Sequence, residues 1–221
     1  MNGKSVAIVD YRMGNLFSVK HACEKVGLHA EITSSKEFIA SSDAVILPGV
    51  GAFGDAMAVL NKLDLIYLLK DFIASGKPFL GICLGMQMLM SESCDFGRHK
   101  GLDVIDGAVM KFDCPKDSSG KILKVPEVQW NRIKIQKKAS GSLSLLKNIS
   151  DGEYMYFVHS YYVKPTHSDC VATVSHYGDI EFASSVSKKN VFGCQFHPER
   201  SGITGLSLYE NFANSIDGRE I

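Results

Sequence analysis

The stretch from Pro78 to Glu92 changes its period in the middle. Phe79-Leu80-Gly81-Ile82 is a continuous apolar run, the pattern of a strand buried on both faces. It breaks at Gly81-Ile82-Cys83-Leu84-Gly85, and an amphipathic pattern follows that predicts a helix over 84–92. A buried strand running straight into a helix is half of a βα unit. Chains built from such units fold as a parallel sheet with helices on both faces. The upstream sequence repeats the theme. Strands are predicted at 4–10, 28–33, 43–47 and 78–82, with helices at 15–26, 35–41 and 54–74 between them. The apolar stripe Met57, Leu60, Leu65, Leu68, Leu69 and Phe72 marks the long helix as core-facing.

Past residue 102 the texture becomes short strands, predicted at 103–112, 121–126, 131–135, 153–163, 169–176, 179–187 and 191–196. Their connections are of antiparallel type, with Tyr177-Gly178-Asp179 as a hairpin turn. A helix at 203–216 closes the chain, and Gln136 to Ser144 reads as a polar loop. The fold class is therefore α/β, with a mostly parallel sheet, flanking helices and antiparallel strands in the C-terminal half. Residues 1–221 fit one domain.

Cys83 falls at the turn from strand to helix, at the C-terminal end of a parallel strand. Open α/β sheets place their ligands there. G-x-C-x-G is the cysteine form of a nucleophile elbow, with the sulfur displayed on a sharp turn. Gly81 and Gly85 keep side chains out of the crowded space beside it. A helix N-terminus next to the sulfur favours negative charge on it. Most cysteines are core hydrophobes, so the motif needs partners to carry chemistry.

Those partners stand near the C-terminus, in Val191-Phe192-Gly193-Cys194-Gln195-Phe196-His197-Pro198-Glu199. Pro198 pushes His197 towards an extended conformation. Residues two apart in an extended segment share a face, so Glu199 can orient the His197 imidazole. Nucleophile, base and orienter are then Cys83, His197 and Glu199. Donors for an oxyanion are offered by the turn Pro48-Gly49-Val50-Gly51-Ala52-Phe53-Gly54 after strand 43–47. The backbone of Leu84, the residue after the nucleophile, offers another. The same turn matches G-x-G-x-x-G through Gly49, Gly51 and Gly54. It follows the third strand rather than the first, however, and the acid about 20 residues on, Asp71, lies inside a helix. Both points weigh against a dinucleotide site.

These motifs together resemble the triad-type (class I) glutamine amidotransferases. Gly81 to Gln87 is similar to the family's nucleophile segment, and Gln195 to Glu199 to its histidine–glutamate segment. Asp10-Tyr11-Arg12-Met13-Gly14-Asn15-Leu16, Pro48 to Gly54 and Tyr156-Phe157-Val158-His159-Ser160-Tyr161 are similar to the glutaminase subunits of imidazole glycerol phosphate synthases. The resemblance spans nearly the whole chain. It implies a flavodoxin-like amidotransferase fold and hydrolysis of L-glutamine to glutamate. It also implies a heterodimer in which the ammonia passes to a separate (β/α)8-barrel cyclase subunit of histidine biosynthesis. It gives the triad roles to Cys83, His197 and Glu199. The oxyanion and substrate site falls to Gly49, Val50, Gly51, Leu84, Gln87, Ser160 and Tyr161, and the partner interface to Trp130, Tyr156 and Asn15.

The chain departs from the family where members usually carry Pro-His-Met-Gly-Trp-Asn. Here Pro126-Glu127-Val128-Gln129-Trp130-Asn131 stands instead. Arg12 also replaces a common glycine. The triad is untouched, but that loop faces the synthase in the family. A paralogous glutaminase, feeding the amidation of a nucleotide-linked or surface-polysaccharide sugar, is the alternative. Without the resemblance Trp130 reads as core, and His159 as a hydrogen-bonded structural histidine.

Composition narrows the rest. Lysine plus arginine and aspartate plus glutamate each number 24, so nothing basic enough for nucleic acid stands out. Six cysteines occur without a C-x-x-C pair or zinc spacing, so no metal or cofactor is expected. No apolar run reaches the length of a membrane span, and no secretory signal is read. The expected location is the cytoplasm.

Overall fold

The structure, a computed structural model, describes residues 4–136 and 145–216. All of the predicted 136–144 loop except Gln136 lies outside them. The first half alternates strand and helix: β1 (Ser5–Val9), α1 (Leu16–Lys25), β2 (His29–Thr33), α2 (Lys36–Ser41), β3 (Ala44–Gly49), α3 (Phe53–Lys62), α4 (Leu65–Ala74), β4 (Phe79–Cys83) and α5 (Leu84–Met88). The second half is strand-rich: β5 (Met90–Ser93), β6 (His99–Lys100), β7 (Ile105–Lys111), β8 (Glu127–Arg132), β9 (Lys134–Ile135), β10 (Tyr154–His159), β11 (Tyr161–Pro165), β12 (Val171–Tyr177), β13 (Ile180–Lys188) and β14 (Val191–Cys194). Helix α6 (Gly202–Ile216) ends the described fold.

One sheet runs β2-β1-β3-β4-β14-β13-β11-β7-β5-β6, with β12 and β9 branching from β13. From β2 to β14 every pairing is parallel. The register sets Gly49 beside Cys83 and Cys194 beside Ile82. Three segments far apart in sequence thus end together at one edge of the sheet: the glycine turn, the cysteine elbow and the strand leading to His197. Alternation divides the strand side chains between two cores. Val6, Ile8, Ile46, Leu80 and Ile82 pack on the side of Val19, Leu208 and Phe212. Ala7, Val9, Val45, Leu47 and Phe79 pack on the side of Leu60, Leu69 and Phe72. Burial of each large side chain contributes about 1.5–3 kcal/mol, so the edge where these strands end is held by dense packing on both faces.

Four predicted elements are corrected. Helix 54–74 is two helices, because Asp64 takes a left-handed conformation with φ 51° between α3 and α4. Helix 84–92 stops after Met88, and Met90–Ser93 becomes a strand parallel to β7. Segment 121–126 is no strand; a single bridge joins Lys116 and Ile122. The aromatic run 153–163 is two strands in different sheets. β10 pairs with β8 in a separate antiparallel ribbon, and β11 enters the main sheet between β7 and β13. The crossover between them is Ser160.

Candidate active site

Cys83 has φ 54° and ψ −110°. A non-glycine residue held there costs about 1–3 kcal/mol, and such strain gathers at functional positions. The neighbouring glycines show why the turn is built this way. A Cβ on Gly85 would lie 1.7 Å from the Leu47 carbonyl oxygen, and one on Gly81 would lie 2.9 Å from the Gly85 carbonyl oxygen and from the Met86 nitrogen. Helix α5 therefore presses its first turn directly onto β3 and β4, and the sulfur is thrown outward into a cavity of about 330 Å³. Cys83 itself is 6% exposed.

Beyond β14 the chain turns extended, with His197 at φ −102° and ψ 93°. Its N–H donates to the Tyr156 carbonyl at 2.9 Å, and the Ser201 hydroxyl donates to the His197 carbonyl at 2.7 Å. Both ends of the residue are thus pinned. Nδ1 of the ring meets Glu199 Oε1 at 2.8 Å, with the two side chains 6% and 1% exposed. Nδ1–H donating to the carboxylate leaves Nε2 for chemistry, and Nε2 has no hydrogen-bond partner. Burial alone would lower the His197 pKa. The charges of Cys83 and Glu199 outweigh it and raise it to about 10. These partners favour the protonated imidazole beside the sulfur.

Of the other residues singled out, Val50, Gly51, Leu84, Gln87, Ser160 and Tyr161 line the cavity with Cys83. Gly51 has φ 101°, so the turn bends as glycine allows. Gly49 lies beneath the cavity. A Cβ on it would lie 2.1 Å from the Tyr11 hydroxyl, which donates to the Pro48 carbonyl at 2.8 Å. The absence of a side chain at Gly49 is what lets Tyr11 fill the space under the turn. Trp130, 51% exposed, faces Tyr156 across the ribbon with ring centroids 6.1 Å apart. The reading of Trp130 as core, made without the family, is corrected: β8 turns it outward. Asn15 is exposed at the start of α1.

Two residues at the site carry contacts that the motifs do not announce: Gln195 behind the nucleophile and Asp95 in the cavity wall. Gln195 sits in the quoted histidine–glutamate segment, yet no role was attached to it. Its Nε2 donates to Cys83 Sγ at 3.5 Å, and its Oε1 accepts from Gln87 Nε2 at 3.1 Å. Asp95 lines the cavity and is 5% exposed. Its Oδ2 accepts from Phe53 N–H at 2.7 Å, while Oδ1 is buried without a partner. A carboxylate oxygen in that state attracts a cationic group. The same contact disposes of the phosphate reading of Gly49, Gly51 and Gly54. The N-terminus of α3 is already occupied by a carboxylate, which would repel a pyrophosphate.

A strained cysteine on a βα elbow, a buried His–Glu pair and a glycine turn at one end of the sheet are the parts that a thiol-dependent acyl transfer requires. Comparison with known proteins gives the class. The profile of the class-I glutamine amidotransferases matches residues 7–215, and the chain belongs to that family. Among its relatives are the proteins named imidazole glycerol phosphate synthase subunit HisH. That of Rhodopirellula baltica is 47% identical over 95% of this chain and 97% of its own length. That of Methanosarcina acetivorans is 47% identical over 95% and 98%, and that of Caldanaerobacter subterraneus 46% identical over 96% and 98%. Among solved structures, PurLQS from Thermotoga maritima superposes with TM-score 0.72 at 20% identity, covering 96% of this chain and 99% of that one. A putative GMP synthase subunit from Thermoplasma acidophilum gives TM-score 0.69 at 15% identity, covering 99% and 96%. At those identities the likeness is one of fold. Among the described residues no helix is long and apolar enough to cross a membrane.

Proposed function

We propose that the chain is the glutaminase subunit of an imidazole glycerol phosphate synthase. It hydrolyses L-glutamine to glutamate and delivers ammonia to a separate (β/α)8-barrel cyclase subunit in the cytoplasm, in histidine biosynthesis. The observation that carries the chemistry is the buried, Glu199-bonded His197 beside the strained Cys83. The family relationship carries the pathway.

The reaction follows from the charges. The Cys83 thiolate attacks the carboxamide carbon of glutamine. The carbonyl electrons move onto oxygen, where backbone N–H groups of the Val50–Gly51 turn and of Leu84 receive them. His197 gives its Nε2 proton to the departing nitrogen as the C–N bond breaks, leaving ammonia and a thioester. Having given up its Nε2 proton, the imidazole is left as a base. It takes a proton from water, which attacks the thioester and frees glutamate. One histidine thus serves both steps, giving a proton in the first and recovering it in the second. Gln195 holds the sulfur in place. The unpartnered Asp95 Oδ1 receives the α-ammonium group of glutamine, and Gln87, Ser160 and Tyr161 frame the rest.

The exposed face of β8, with Val128 56% and Trp130 51% exposed, is the surface offered to the partner, with Tyr156 and Asn15. Tryptophan at such a position is suited to an interface hot spot. The test is glutamate release with and without an imidazole-glycerol-phosphate cyclase subunit carrying its nucleotide ligand. Strong stimulation is expected. Cys83-dependent turnover without any stimulation would keep the glutaminase and reassign its partner, as in the paralogues that amidate sugars.

A further inference from the structure

Glu127, at the start of β8, is wholly buried. Its carboxylate is surrounded. Oε1 accepts from Gln129 Nε2 at 2.9 Å and from Asn131 Nδ2 at 2.8 Å. Oε2 lies 3.1 Å from His159 Nε2, with both side chains at 2% exposure or less. The other ring nitrogen of His159 donates to the Tyr161 carbonyl at 2.9 Å. That carbonyl also accepts from Gln87 Nε2 at 2.9 Å. Gln87 in turn bonds Gln195, which bonds Cys83. A chain of polar contacts therefore runs from the side chains of the exposed strand β8 to the floor of the glutamine cavity and the nucleophile; its one link that is not a hydrogen bond is the 3.1 Å contact of Glu127 Oε2 with His159 Nε2.

Resting on the glutaminase reading, we propose that Glu127 is a positioning residue: through His159 it fixes the Tyr161 carbonyl and Gln87, and with them the shape of the glutamine pocket. The physical basis is the arrangement itself. Nδ1 of His159 donates to a carbonyl while the Glu127 carboxylate packs against the opposite edge of the ring at Nε2, so the ring's orientation is fixed from both sides. His159 is stacked among Phe112, Phe157 and Phe182, with ring centroids 5.2–5.7 Å away, so the ring has little freedom to compensate if that carboxylate is lost. Gln129 and Asn131 clamp the carboxylate from the β8 side, which ties the pocket floor to the strand that carries Trp130.

Cutting the path without leaving a buried charge separates positioning from mere stability. The double variant Glu127→Leu/His159→Phe replaces the pair by apolar groups of similar volume, a change that buried ion pairs often tolerate without loss of stability. The conservative Glu127→Gln keeps an acceptor for Asn131 and a polar group beside His159 Nε2. The probe is 6-diazo-5-oxo-L-norleucine, a glutamine-shaped alkylating agent, used on the chain alone. Saturable inactivation yields a binding constant and a maximal rate. Iodoacetamide, which does not fill the pocket, reports the sulfur separately. The double variant should fold and bind the glutamine-shaped reagent about tenfold more weakly, the scale of one lost net hydrogen bond. Its iodoacetamide rate should stay within about twofold, an effect at the noise level of such energetics, and Glu127→Gln should restore wild-type binding. A folded double variant with wild-type binding overturns the proposal, as does one in which both reagents lose reactivity together. If the wild-type chain itself shows no saturable labelling, the glutamine reading falls first, and the positioning role with it.

Discussion

Gly85→Ala puts one methyl group where the Leu47 carbonyl oxygen stands, 1.7 Å from the new Cβ. The obstacle is backbone on the central strand β3, so no rotamer change relieves it. To reach 3.0 Å, the limit that real Cβ contacts rarely cross, the first turn of α5 and β3 must separate by about 1.3 Å. Overpacking of this kind costs about 1–3 kcal/mol, and the backbone contact places this site at the upper end. For a chain of this size about 3 kcal/mol lowers Tm by roughly 6–12 °C. The functional loss should exceed the stability loss. The displaced turn carries the Leu84 N–H, and the opposing strand leads into the Val50–Gly51 turn, so the oxyanion donors part from the nucleophile. A misplacement near 1 Å costs on the order of 10²-fold in rate. Thermal unfolding and glutamate release, measured on the same preparation at a temperature where the variant is fully folded, separate the two effects. A Gly85→Ala variant with wild-type Tm and turnover would refute the claim that close contact of α5 with β3 builds the site.

Further expectations follow from single residues. Glu199→Gln keeps the contact to His197 but not its charge. It should lower kcat by about 10²–10⁴-fold with little change in KM, as loss of a triad orienter does. The His197 pKa is raised to about 10 from an unfolded value near 6.5, so its stabilising contribution is full below about 6.5 and is lost as pH rises through about 10. Tm should therefore fall across that window, and Cys83→Ala, which removes the raising charge, should flatten the slope; an unchanged slope would show that Cys83 is not the source. Arg12 sits at φ 68°, exposed, in the left-handed region that favours glycine. Arg12→Gly should raise stability by up to about 1 kcal/mol in chemical denaturation, the scale of left-handed strain relieved, less what glycine costs in the unfolded chain. Asp95→Asn should raise KM for glutamine more than it lowers kcat, because it removes the charge facing the α-ammonium and leaves the triad intact.

The parallel half of the fold is legible because each element has its own period and the breaks are marked. Gly81 and Gly85 bracket the elbow, and the strand-to-helix switch there is visible in the residues themselves. The C-terminal half is less so. The aromatic run from Tyr154 to Val163 alternates without interruption, and nothing in it marks Ser160 as the crossover between sheets, since that choice belongs to the partners β8, β7 and β13. The break at Asp64 also lacks a glycine or proline to announce it, and the strand Met90–Ser93 carries an apolar start that continues the helical pattern before it. Alternation puts Met155, Phe157 and His159 on one face without saying which face is inward, and the structure buries all three. At the site, the triad candidates were readable from motif spacing. Asp95 was not, because its unpartnered oxygen exists only once the cavity forms. Glu127 was visible as a departure but not as the buried partner of His159, because the pairing depends on the antiparallel register that sets those two residues opposite each other.

The central claim is that Cys83 is the nucleophile of a glutaminase. Its most direct test is glutamate release by Cys83→Ser beside the wild-type chain, both in the presence of the cyclase subunit and its ligand and both verified as folded. Loss of at least about 10³-fold is predicted, the scale on which removal of a nucleophile acts. A Cys83→Ser chain that still releases glutamate at a tenth of the wild-type rate or more would contradict the account.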